Sequence, residues 1–174
     1  MISIRPAHAD DITAIVSIHI QSWNAQFRSF LNAEQIQLKN LDSEHQQELW
    51  QARFNQEEGR TRRTFIAIQA GDKLGYITGA HHESSCDAQL QQIYVRPPAH
   101  HQGIGEQLVA ALAQQLHADG KHCLFVWVMT INPAITFYRD RLGGSFVEER
   151  IIPHGDGILR ETAYRWTPIT RLFS

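Results

Sequence analysis

Residues 88–129 read AQLQQIYVRPPAHHQGIGEQLVAALAQQLHADGKHCLFVWVM, and this stretch decides the fold. Ala88 to Val95 reads as a strand, and Pro97-Pro98 ends it because proline cannot donate to a ladder. From Gly103 to Asp119 a helix is expected. Ile104, Leu108, Leu112 and Leu116 recur there every fourth residue, the spacing of one helix face. Cys123 to Met129 is a continuous apolar run, the pattern of a strand covered on both faces. Strand, helix and strand in succession predict a crossover connection and a parallel pair at the centre of a sheet.

The flanks add antiparallel edges. Thr64 to Gln69, the turn Ala70-Gly71-Asp72-Lys73 and Leu74 to Ala80 form a hairpin signal. Ile2 to Arg5 reads as a first strand. Asp10 and Asp11 are cap candidates for a helix carrying Ile12, Ile15, Val16, Ile20 and Trp23. Phe27 to Leu41 is looser. Asp42 and Ser43 are cap candidates for a second helix with Leu49, Trp50 and Phe54 on one side. Late in the chain, Pro133 to Arg141 reads as a short helix stopped by Gly143-Gly144. Ser145 to Glu149 and Ile158 to Trp166 are strands around the turn 153–157. Together these elements predict one α/β domain over residues 1–174. Its sheet is mixed and mostly antiparallel, with a central parallel strand pair flanked by helices.

Length and charge narrow the function. At 174 residues the chain holds one domain's worth of core. Sixteen basic against eighteen acidic side chains give a formal net charge of −2, so nothing supplies generic nucleic-acid affinity. No run approaches the roughly 18 apolar residues of a spanning helix. Residues 1–10 lack the apolar core of a secretory signal. Cys86 and Cys123 form no close pair in sequence, and Cys123, inside an apolar run, reads as a buried structural thiol. A reduced, cytoplasmic compartment is therefore expected. The ten histidines include the neighbours His81-His82 and His100-His101, which are not the i, i+4 pairs that share a helix face. No metal site is expected from them.

Val95 to Leu108 carries the chemistry. A strand ends, a turn follows, and Gly103 and Gly105 open a helix. Glycines let backbone approach a bulky anion, and the free amides and dipole of a helix start attract it. Gly105 is followed by Glu106 and Gln107 rather than lysine and serine or threonine, which excludes a P-loop. Leu108 stands where a dinucleotide fingerprint needs a third glycine. The second constellation, Asn132-Pro133-Ala134 with Phe137-Tyr138, follows the buried strand 123–129. Ends of neighbouring parallel strands lie side by side, so both segments should face one crevice.

These two motifs at this spacing resemble the GNAT superfamily of acetyl-coenzyme A-dependent N-acetyltransferases, and the likeness extends over Ile2 to Trp166. The resemblance implies acetyl-CoA as co-substrate and a small-molecule or peptide amine as acceptor. It implies no nucleic-acid or membrane partner and allows a homodimer. It assigns the backbone of Ile93, Tyr94 and Val95 to the pantetheine arm. His100, His101, Gln102, Gly103, Ile104, Gly105 and Glu106 would form the pyrophosphate turn, and Asn132 would bond the cofactor's arm. Tyr138 would be the acid at the sulfur. Trp23, Phe27, His82 and Glu83 are expected on the substrate side.

Two departures stand out. His100 occupies the position where the family motif usually carries glutamine or arginine. The strand before the turn reads Ala88, Gln89, Leu90, Gln91, Gln92, with no glutamate to serve as base. His81, His82, Glu83, Asp87, Glu161 and His19 remain candidates for that role or for the substrate pocket. The missing base also leaves a second function open, a non-catalytic acyl-CoA-binding sensor or partner module. Cys86, beside the acidic Asp87, and Cys123 do not suit an acyl-enzyme route, so direct transfer in a ternary complex is expected.

Overall fold

The computed structural model describes residues 1–27, 31–32, 42–55, 61–155 and 157–173. Seven strands form one sheet: β1 (Ile2–Pro6), β2 (Arg62–Gln69), β3 (Asp72–His81), β4 (Ala88–Val95), β5 (Leu124–Met129), β6 (Ser145–His154) and β7 (Gly157–Trp166). Their order is β1-β2-β3-β4-β5-β7-β6. Among the described residues only β4 and β5 run parallel, and every other pairing is antiparallel. The α-helices among the described residues are α1 (Ile12–Phe27), α2 (Ser43–Asn55) and α3 (Ile104–Ala118). The mixed α/β sheet and its central parallel pair agree with the expected fold.

The two faces of the sheet are covered differently. The leucine stripe of α3 (Leu108, Leu112, Leu116) packs with Phe65, Ala67, Ile77, Leu90, Leu124 and Val126. On the opposite face, Ile15, Ile18 and Trp50 of α1 and α2 pack against Ile66 and Tyr76. Strand alternation sends successive side chains to these two layers. Gly120, at φ +83°, stops α3. Its amide and that of Lys121 return to the carbonyls of His117 and Leu116, a Schellman closure.

Several expectations need correction. The short helix expected over 133–141 forms from Ile135, but most of it is π-helical. A turn leads into a π-helical turn, Phe137–Arg141, closed by the Leu142 amide on the Phe137 carbonyl. β6 continues to His154, so the turn 153–157 is tighter than the sequence suggests, and its Asp156 lies outside the described residues. So does most of the stretch from Phe27 to Leu41. Asp11 is not a simple cap. It is 1% exposed and bound by Arg5 (2.7 Å) and Lys73 (2.6 Å).

The cysteines are the largest correction. Cys86 and Cys123 form a disulfide, with a Cα–Cα distance of 5.0 Å. The parallel register brings them together. Ala88 pairs with Leu124, so the residues just before β4 and β5 meet across that end. With both cysteines bonded, free thiols no longer point to a reduced compartment. No helix among the described residues is long and apolar enough to cross a membrane.

Candidate active site

The site begins with a register defect. Thr78 pairs with Gln92 but Gly79 pairs with Leu90, so Gln91 is an extra, exposed residue in β4. Such a bulge bends its strand. β4 and β5 pair only through Ala88–Leu90 and Leu124–Val126. Past Gln91 the two strands share no pairing, and a gap opens between their carboxyl ends.

Backbone direction along β4 decides what faces this gap. The Arg96 amide donates to Leu74 on β3 at 2.8 Å. Alternation then turns the amides and carbonyls of Val95 and Ile93 the other way, toward the gap. The Tyr94 backbone faces β3, opposite Tyr76. This corrects the assignment of the Tyr94 backbone to the pantetheine arm. Its ring lies on the α1 face instead, stacked on His19 with centroids 4.9 Å apart. The Val95 carbonyl is already occupied. It accepts from Ser22 Oγ at 3.1 Å and from His100 Nε2 at 2.8 Å. His100 thus braces the turn through its side chain, and the Val95 amide stays directed at the gap.

The glycine turn follows. His101 and Gly103 both adopt positive φ, +61° and +74°, and Gly103 caps α3. The amides of residues 101–106 donate to no described residue. They converge at the positive end of a 15-residue helix. A Cβ on Gly103 would meet only Gln107 Nε2, at 3.9 Å, so the concave side is open. Gly105 differs, because a Cβ there would lie 3.1 Å from the Phe137 ring. It serves the contact between the two motifs. The Glu106 carboxylate pairs with Arg141 at 2.9 Å, which neutralises an acid placed beside an anion-binding turn.

Asn132 is 7% exposed and sits where β5 ends. Its Oδ1 accepts from Gln26 Nε2 at 2.7 Å and from the Ala134 amide at 2.9 Å. Both bonds fall on the oxygen, so the Nδ2 donors are spare. Tyr138 is 7% exposed, in the core layer under α3. Burial pushes its phenol above the ordinary range, so it holds its proton. Burial does the same to Tyr94, and the Tyr138 phenol adds to that shift. The two rings belong to opposite faces of the sheet, Tyr138 with the α3 layer and Tyr94 with the α1 layer. No described residue hydrogen-bonds the Tyr138 hydroxyl.

Four other candidates are not brought to this gap. His81 pairs with Ala88 at the start of β4, so the loop after it lies at the opposite end of the strand from the glycine turn. At about 3.3 Å per residue that separation is roughly 20 Å. His82 packs on Phe125 and bonds Ser84, and no contact brings Glu83 closer. Asp87 accepts the His122 and Cys123 amides. Burial opposes ionisation of its carboxyl, yet these bonds hold it below the usual range. The expectation that His82 and Glu83 border the substrate is therefore corrected. Trp23 and Phe27 are on the α1 face near Tyr94 and Met129, but they are buried in a cluster with Leu31 and Leu159. They support the site rather than line it.

The structure adds Ser22 and Gln26, which sequence reasoning missed. They stand four apart on α1, each beside one of the aromatic residues Trp23 and Phe27. A polar i, i+4 pair flanking an apolar stripe was the available signal. Glu161 is opposite Met129, on the α1 face of the sheet, in an ion pair with Arg150. Among the described residues, no group of three or more His, Cys, Asp or Glu could hold a metal ion.

Comparison with known proteins agrees with this geometry. The profile of the Acetyltransferase (GNAT) family matches residues 20–143. The curated protein named uncharacterized N-acetyltransferase YuaI, from Bacillus subtilis (strain 168), is 25% identical over 180 residues, covering 99% of this chain and 96% of that protein. Among solved structures, the PaiA N-acetyltransferase of Thermoplasma acidophilum in complex with coenzyme A superposes with a TM-score of 0.73 at 15% identity. The match covers 96% of this chain and 99% of that one. YncA from Salmonella typhimurium, with its cofactor acetyl-CoA, gives 0.69 at 20% identity over 95% and 93% of the two chains.

Proposed function

The chain belongs to the GNAT family of acetyltransferases, and from that premise we propose that it transfers an acetyl group from acetyl-CoA to a primary amine in a ternary complex. One observation carries the reading. The turn at residues 101–106 meets the Asn132–Tyr138 segment, Gly105 against the Phe137 ring, where β4 and β5 part, and the turn's amides and Asn132 Nδ2 bond no described residue. The fit to the cofactor rests on that geometry. A pyrophosphate needs several convergent amides at a helix start, and an amide-bearing arm needs strand groups and a donor that are not already paired.

Bound acetyl-CoA supplies an activated thioester. The chain's residues do the rest. Residues 101–106 would hold the pyrophosphate, while Ile93, Val95 and Asn132 would hold the arm. The Val95 amide, fixed by the two bonds on its carbonyl, would donate to the acetyl oxygen as charge builds there. Tyr138, kept protonated by burial, would hydrogen-bond the sulfur and yield its proton as the carbon–sulfur bond breaks. The β4 residues Gln89, Gln91 and Gln92 cannot accept a proton, and Gln92 Oε1 is bonded by the Tyr76 hydroxyl. A dry pocket would then favour the neutral amine by desolvation.

The absent β4 carboxylate is also what a non-catalytic acyl-CoA-binding module would show. Turnover separates the two readings. Thiol release from acetyl-CoA in the presence of an amine panel, with mass detection of the N-acetyl product, tests the enzyme. Tight acetyl-CoA binding without any product would favour the binding module.

A further inference from the structure

The acceptor's chemistry is readable on the face of the sheet opposite α3. The cofactor turn lies on the α3 side, which leaves the α1 side of the gap for the acceptor. There, Trp127 is the first β5 residue past the last pairing with β4. Its ring is half-buried and forms floor beside the gap. Arg150 reaches this floor from the edge strand β6. It pairs with Glu161 on β7, and its guanidinium carbon lies 3.9 Å over the Trp127 ring. Nε and Nη2 both bond Glu161 Oε2, at 2.8 and 2.6 Å. The Glu161 side chain is only 16% exposed, whereas the Arg150 side chain is 46% exposed. Nη1 bonds no described residue. A fork-shaped cation is thus clamped between an aromatic ring and a carboxylate, with donors outward.

Arg150 and Glu161 are direct cross-strand partners, so their ion pair alone does not require the guanidinium to extend past β7 onto Trp127. Fixed guanidinium donors recognise carboxylates, and planar fixation lowers the entropy cost of doing so. The neighbouring surface is apolar: Trp127 and Met129 are half-buried on this face of β5, and Met129 packs against the Trp23–Phe27 cluster. We infer that the acceptor is an amine carrying a carboxylate, an amino acid with an apolar side chain, whose carboxylate is bound by Arg150. Glu161 is a positioning residue that holds the guanidinium on Trp127.

This inference rests on the acetyltransferase reading, so the experiment tests both separately. Initial rates of thiol release are measured with L-phenylalanine and L-leucine, with the C-terminal amides of each, and with tyramine and spermidine. The amide's amine deprotonates more readily, so intrinsic reactivity favours the amide, and a preference for the acid can come only from recognition. The acids are expected to exceed their amides about tenfold or more in kcat/KM, with the difference in KM. Arg150→Gln should abolish the preference without changing acetyl-CoA affinity, and Arg150→Lys should restore part of it. Glu161→Gln should raise KM for the acids at unchanged kcat. Amides or spermidine used as well as the acids, or an acid preference that survives Arg150→Gln, would overturn the inference. Acetyl-CoA bound with no amine acetylated would overturn the enzyme reading itself, and the selectivity with it.

Discussion

Gln26 Nε2 donates to Asn132 Oδ1 across 2.7 Å, joining the last turn of α1 to the loop after β5. The bond fixes which edge of the Asn132 carboxamide meets the gap. Asn132→Asp keeps an oxygen for both Gln26 and the Ala134 amide but removes the Nδ2 donors. It should fold normally and bind acetyl-CoA about tenfold more weakly, read by calorimetric titration. Unchanged affinity would remove Asn132 from the cofactor site.

Tyr138→Phe deletes a hydroxyl that no described residue bonds. Melting temperature and acetyl-CoA affinity should hold, while kcat falls roughly 10²–10⁴-fold. A variant with full kcat would exclude the phenol as the acid at sulfur.

The two glycines of the turn should respond differently. Gly103→Ala places a Cβ in left-handed backbone without a clash, a cost of about 1 kcal/mol in stability. Gly105→Ala drives a methyl into the Phe137 ring and should cost about 1–3 kcal/mol, with weaker cofactor binding as the two motifs separate. Urea unfolding with and without acetyl-CoA measures both.

The disulfide closes a loop between cysteines 37 residues apart. Loop entropy predicts that Cys86→Ser/Cys123→Ser loses roughly 4 kcal/mol, with a melting temperature lower by about 8–16 °C. Equal melting temperatures for the oxidised protein and the variant would contradict a bonded pair.

Asp11 sets part of the acid sensitivity. Burial opposes its charge, but hydrogen bonds from Arg5, Lys73 and the His8 amide outweigh burial and hold its pKa well below the usual range. A depressed folded pKa contributes stability above the unfolded value of about 3.9, and that stability is lost as pH falls through the folded one. Asp11→Asn should cost roughly 3 kcal/mol at neutral pH. Its deficit against the wild type should shrink as pH drops below about 4, followed by denaturant unfolding.

The sheet was legible because its signals are local. The β2–β3 hairpin announces itself through Ala70-Gly71, and α3 through Ile104, Leu108, Leu112 and Leu116. Most of the gap's backbone was legible too, since turn and motif lie in sequence where the strand ends put them in space. What escaped depends on register. The Gln91 bulge comes from how β4 meets β3, and nothing in Gln91-Gln92 marks it. The Cys86–Cys123 pair follows from Ala88 lying beside Leu124. His82 and Glu83 looked adjacent to the site because they precede β4, but an antiparallel hairpin puts that loop at the wrong end. Arg150 lay unremarked in a charged edge strand, because its reach to Trp127 crosses β7.

Thermal unfolding with saturating acetyl-CoA, beside ATP and NADH, asks whether the 101–106 turn holds coenzyme A. At 100 times its dissociation constant a ligand stabilises by about 2.7 kcal/mol, roughly 5–11 °C for a chain this size. A rise of that order with acetyl-CoA alone is the predicted result. No rise, or a larger one with ATP or NADH, would contradict the assignment of the 101–106 turn to coenzyme A.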